Sequence, residues 1–204
     1  MSEHPAQGEA SPAAPPAARR AAPDPTARAL PTRELLHHRR IDLHGYRRSD
    51  GCYDIEGELR DTKTYERAGH AGLRAAGEPI HEMRLRLSVD RGFRIVDAHA
   101  ESLAVPYPGH CETIAPVYQQ LIGMTIQAGF MRDIRTLFGG VQGCTHLTEL
   151  IGCVATAAFQ TLSDELAASN TAQPFQLDGC HALRTDGAAV RTFYPRWFRP
   201  LPQS

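Results

Sequence analysis

Cys111 and Cys144 are the residues of this chain best suited to chemistry, because each immediately precedes a run of helical periodicity and has a histidine close by. A thiol at a helix start faces free backbone N–H groups and the positive end of the helix dipole, which favours the thiolate. His110-Cys111 and Cys144-Thr145-His146 set imidazoles beside those sulfurs, and mixed N/S donors suit zinc or iron. His81 shares the strand parity of Met83, Leu85 and Leu87, so it points to the face on which helices pack. His81, Cys111 and Cys144, with His146 as a fourth candidate, therefore make the expected metal site, and at most three firm ligands leave a position open for water or substrate, as in catalytic rather than structural centres. Glu82, His110 and Tyr107 are the candidate acids and bases. Cys180 and His181, close to Asp178, are possible additional ligands. No C-x-x-C pair is present, so a structural reading competes: free cysteines often fill gaps in a core. Cys153, beside an apolar helical stripe, and Cys52, in a turn, are read that way.

Two kinds of periodicity must position these groups. Ile41 and Leu43, then Tyr53, Ile55 and Leu59 after Ser49-Asp50-Gly51, alternate with polar residues and predict a first hairpin. Met83 to Val89, the turn Asp90-Arg91-Gly92, and Phe93 to Leu103 predict a second. After Pro108 the period becomes helical: Ile114, Val117, Tyr118, Leu121 and Ile122, then a short helix Met131 to Phe138. A long helix opens at Thr145 with the stripe Leu147, Leu150, Ile151, Val154, Ala158 and Leu162. A terminal hairpin is expected over Gly179 to Tyr194, turning at Asp186-Gly187. The fold class is α+β: an antiparallel sheet of two hairpins with helices packed on one face, plus that C-terminal hairpin.

Composition narrows the classes. The chain has 204 residues, 22 Lys+Arg against 23 Asp+Glu, and a net charge of −1, which gives no electrostatic drive toward nucleic acid or anionic membranes. No apolar run reaches the ~18 residues of a membrane span. Residues 1–32 are expected to be a disordered leader, because the first thirty hold ten Ala and six Pro with no Ile, Val, Phe, Tyr or Trp. One α+β domain is expected over 33–199, followed by a tail over 200–204. Five dispersed cysteines, without a signal segment, fit a reducing cytoplasm better than a disulfide framework.

The motifs Arg39-Arg40-Ile41, Gly45-Tyr46-Arg47-Arg48, Asp54-Ile55-Glu56-Gly57, Gly77-Glu78-Pro79-Ile80-His81, Pro106-Tyr107-Pro108, Gly143-Cys144-Thr145-His146-Leu147 and Tyr194-Pro195-Arg196-Trp197 together resemble a bacterial family known only as domain of unknown function 2889. That resemblance covers about residues 33–199 and implies no activity. A more remote likeness, over about residues 77–166, is to iron–sulfur scaffolds of the NifU and IscU type. Met83-Arg84-Leu85, the Asp90-Gly92 turn, Cys111, Gly123-Met124-Thr125 and Cys144 before an Ala-rich helix follow the order of that fold. Scaffolds of that kind use three Cys and an Asp, whereas here Pro79 stands near the first Cys position and His81 near the Asp. The resemblance implies an IscU/SufE-like sheet with a metal or cluster pocket between sheet edge and helix starts.

The expected function is a metal-dependent enzyme, with Zn or Fe, acting on a small-molecule substrate by a hydrolytic or lyase-type step. The alternatives are an iron–sulfur cluster scaffold or sulfur carrier working with a sulfur-transfer partner, and a purely structural metal site.

Overall fold

Alternating apolar and polar residues build a four-stranded antiparallel sheet whose dry face carries one long helix. The computed structural model describes residues 31–169 and 173–201; the expected leader and tail fall largely outside them. Along the chain come β1 (His37–Arg47), β2 (Tyr53–Lys63), a small hairpin of β3 (Arg67–Gly69) and β4 (Gly72–Arg74), β5 (Pro79–Val89) and β6 (Ile95–Ala104). The sheet order is β1-β2-β5-β6, antiparallel throughout. Helices α1 (Phe130–Phe138), α2 (Thr145–Ser169) and α3 (Ala188–Phe193) follow, with 3₁₀ segments at Glu112–Leu121, Gly140–Gln142, His181–Leu183 and Pro195–Trp197. The class is α+β, as the periodicities imply. Among the described residues no helix is long and apolar enough to cross a membrane.

The expected apolar rows meet in the core. Tyr53, Ile55 and Leu59 of β2 and Met83, Leu85, Leu87 and Val89 of β5 are buried against Leu147, Leu150, Ile151, Val154, Ala158 and Leu162 of α2. Burying each large apolar side chain is worth roughly 1.5–3 kcal/mol, against roughly 0.2–1 kcal/mol for an exposed ion pair, so packing places α2 and polar contacts set its direction. At its far end Glu165 receives Arg47 at 2.6 Å and the Tyr53 hydroxyl, with Arg91 at 3.5 Å. Close approach to the sheet needs Gly57, where an added Cβ would lie 2.7 Å from Val154 Cγ2 and 3.1 Å from Leu150 Cδ1.

Three elements differ from expectation. The β3–β4 hairpin forms from Arg67-Ala68-Gly69 and Gly72-Leu73-Arg74, which carry no apolar alternation to mark them as strands. Residues 112–121 wind as a 3₁₀ segment rather than an α-helix; Pro116 lies inside it, lacking the N–H and clashing with the carbonyl four residues back that α geometry would pair. The C-terminal hairpin is not formed. Gly187 has φ −88° and ψ 161° and caps α3, whereas a two-residue type I′ hairpin turn needs positive φ at both central residues. Ala188 and Ala189 then favour helix, and Val190 becomes its buried anchor.

Gly57→Ala is expected to destabilise the domain by about 1–3 kcal/mol, since Val154 and Leu150 must move. Urea unfolding measures this; an unchanged midpoint would mean that α2 does not sit this close to β2.

Candidate metal centre

Extending the buried parity of each strand by one or two residues brings charged groups onto the dry face at a single end of the sheet. Arg39 of β1 lies opposite Asp61 of β2, and Asp61 lies opposite His81 of β5. The first turn of α2 descends over this row with His146, and the next brings Glu149.

Asp61 is the centre of the group, with a side chain only 3% exposed. Arg39 grips it with two parallel bonds, Nε to Oδ1 and Nη2 to Oδ2, both 2.8 Å, and reaches Glu149 Oε2 at 2.6 Å. His37 Nε2 stands 3.3 Å from Oδ1. His81 Nδ1 and His146 Nε2 stand 3.2 and 3.5 Å from Oδ2, and their rings are stacked with centroids 3.8 Å apart. A carboxylate has about four lone-pair sites. Arg39 takes one on each oxygen, and the imidazole nitrogens converge on what Oδ2 has left.

Electrostatics sets the protonation states. Burial pushes the Asp61 carboxyl upward, but its bonds to Arg39, the Arg39 charge and the nearby imidazoles outweigh that and hold it below the usual carboxylate value. Burial lowers the His81 pKa and the charge of His146 lowers it further, against the opposing pull of Asp61. Burial likewise lowers His146, followed by the Arg39 charge. Both imidazoles are therefore neutral at pH 7, the form that ligates metals.

The donor set fits a divalent cation. Ligands about 2.0 Å from a tetrahedral metal lie about 3.3 Å apart, close to the two nitrogen-to-Oδ2 distances here. Asp61, His81 and His146 form the group of potential ligands within 4.8 Å of one another. Cys144 Sγ lies 3.9 Å from His146 Nδ1, the ring nitrogen turned away from Asp61. Tyr118 fixes that helix start: its buried hydroxyl accepts from the Cys144 N–H at 2.8 Å and lies 2.9 Å from Thr148 Oγ1.

Of the residues singled out in the sequence, His81 and His146 come together and Cys144 adjoins them. Cys111 is half-buried against the hydrophobic core, outside the group. Glu82 occupies the opposite face, 3.8 Å from Arg60. Tyr107 is exposed and stacks on His70, with centroids 5.2 Å apart. His110 sits in the following turn, bonded through its backbone to Tyr107 and Thr113. Cys180 is exposed, beside the 3₁₀ turn containing His181. Sequence reasoning missed Asp61, Arg39, His37 and Glu149, although Arg39 continues the parity of Ile41 and Asp61 that of Leu59.

In metal-free protein the sign of the pH effect follows from these shifts. The folded-state pKa of both histidines is depressed, so the unfolded chain binds more protons; their contribution is complete above the ordinary value of 6.5 and is lost as pH falls toward the folded values. Asp61, depressed from 3.8, adds a loss only in more acidic solution. Melting temperature should hold above about pH 7 and drop below about pH 6.5, and the drop should shrink in the His81→Gln/His146→Gln double variant. A profile flat to pH 5 would contradict it. Asp61→Asn, which removes the bidentate carboxylate and leaves Arg39 with Glu149 alone, should cost about 1–3 kcal/mol in denaturant unfolding; no loss would mean that the pair is not formed.

Comparison with curated proteins and with solved structures finds no match for this chain. One family model does match, over residues 37–160, a span that contains Arg39, Asp61, His81, Cys144, His146 and Glu149 and ends before Cys180. By that match, which covers more than half of the sequence, the chain belongs to the family described as Protein of unknown function (DUF2889).

Proposed function

We propose that this protein is a metal-dependent enzyme, using Zn or Fe held by Asp61, His81 and His146 to act on a small molecule in a hydrolytic or lyase-type reaction. The observation that carries the reading is the convergence of two neutral imidazole nitrogens on one oxygen of a buried, ionised carboxylate. Two histidines and one carboxylate leave coordination positions open, as catalytic zinc sites and non-haem iron sites do. A metal there would polarise a substrate oxygen or acidify a bound water. The chain's own residues do the rest. Arg39 keeps Asp61 ionised and oriented. Cys144, beside His146 Nδ1, helps to fix that ring so that Nε2 is the coordinating nitrogen. Glu149, ion-paired to Arg39 and half exposed, is the carboxylate placed to carry a proton at the rim, whereas Glu82 faces away.

One observation favours a second reading. Cys144 opens α2 next to an imidazole backed by a carboxylate, an arrangement suited to a sulfur carrier within the IscU-like fold that the sequence resembles. A three-thiolate cluster has less support, since among the described residues the group of potential ligands contains no cysteine.

Protein purified without an affinity tag should carry about one equivalent of Zn or Fe, lost in His81→Ala and His146→Ala and retained in Cys111→Ala. Incubated with a small-molecule extract and followed by mass spectrometry, the loaded protein should consume a species that His146→Ala leaves intact. Metal below about a tenth of an equivalent after reconstitution would remove the reading. Retention of metal by His146→Ala together with its loss in Cys144→Ser would move the chemistry to the thiol.

A further inference from the structure

The small hairpin that the sequence did not announce sets two like charges against each other. In the β3–β4 register Arg67 stands directly opposite Arg74, and like charges in that relation destabilise a strand pair. The ribbon has only three residues per strand, too few to be stable alone, so the repulsion requires compensation. Neither arginine forms an ion pair among the described residues. Arg74 instead donates to the carbonyl oxygen of Pro79 and, at 2.6 Å, to that of Val105. Those bonds fix its guanidinium between the start of β5 and the segment after β6 without neutralising it.

Both arginines line a cavity of about 440 Å³ whose walls contain no carboxylate. Glu78 and Glu112 line an adjoining cavity that shares Arg74; Glu78 is engaged by the Ala75 N–H at 2.9 Å. The stacked rings of His70 and Tyr107 form one wall, and buried Ile80 contributes apolar surface. The larger cavity on the open face of the sheet, about 590 Å³, lacks this character. There Arg84 pairs with Glu58, Arg86 with Asp97 and Arg40 with Asp42, so the arginines are already satisfied.

We propose that the cavity between the β3–β4 hairpin and Tyr107 binds a small molecule through an oxyanion group, carboxylate or phosphate, held between Arg67 and Arg74, with a planar body against His70 and Tyr107. Guanidinium forks match the paired oxygens of both anions. An anion between the two arginines replaces repulsion by two attractions, so binding also orders the hairpin. Asp61, His81 and His146 are absent from the lining, and the inference stands independently of the metal reading.

The test is a nuclear magnetic resonance titration of the full chain, in chelator and at constant ionic strength, with inorganic phosphate, acetate and benzoate as probes. Saturable shifts are expected at the His70 ring and the hairpin amides, with benzoate binding about fivefold more tightly than acetate. Arg67→Gln and Arg67→Glu should weaken binding by about tenfold or more, while Arg132→Glu, whose arginine pairs with Asp133 on α1, should leave it unchanged. Response to phosphate alone would support the oxyanion grip and identify a phosphate-bearing ligand, overturning the planar body. Equal affinity for acetate and benzoate would also overturn the planar body. No saturable shift with any probe, or shifts equal in the Arg67 variants and the wild type, would overturn the site.

Discussion

A carboxylate placed on the dry face of a sheet must be compensated, because burying an unpaired charge costs several kcal/mol. Asp61 meets that requirement through Arg39, directly across the β1–β2 pair. The pairing constrains more than two side chains. A one-residue slip of β1 would turn Arg39 and Ile41 out to the open face and set a charged residue, Asp42 or Arg40, opposite buried Leu59, so Arg39 and Ile41 together fix the register of the edge strand. Arg39 also holds Glu149, which ties the start of α2 to the same point. Sheet register, helix placement and the geometry of the imidazoles thus converge on one carboxylate.

The same burial that makes Asp61 expensive keeps His81 and His146 neutral. A carboxylate paired only with arginine would be a closed structural ion pair. Two half-buried imidazoles with nitrogens 3.2 and 3.5 Å from its Oδ2 give the centre the donor set that the proposed metal requires. Tyr118, between Cys144 and Thr148, and Gly57, under Val154, hold α2 low enough on the sheet for His146 to take part.

Where a side chain's role followed from periodicity, the sequence was legible. The alternation of Met83 to Val89 located β5 and its dry face, and its parity placed His81 under the helices; the stripe of α2 placed His146 in the first turn. The remainder depended on tertiary context. Asp61 reads as the polar end of a strand until its partner across the sheet is known, and Arg39 reads as a solvated edge charge. Cys111 looked like Cys144 because both precede helical periodicity, but Pro116 turns the first run into a 3₁₀ segment whose start packs on the core. Asp186-Gly187 resembles a hairpin turn, and only the backbone angles of Gly187 show it opening a helix. The β3–β4 ribbon carries no apolar pattern and is held by bonds that Arg74 makes to Pro79 at the start of β5 and to Val105 after β6.

The identity of the atoms around a metal loaded into the protein tests the proposed assignment most directly. X-ray absorption at the metal edge of the loaded protein should show a first shell of nitrogen and oxygen at about 2.0–2.1 Å, with the outer-shell scattering of two imidazoles and no sulfur. A shell dominated by sulfur at about 2.3 Å would contradict it and would place the metal on the cysteines instead of on Asp61, His81 and His146.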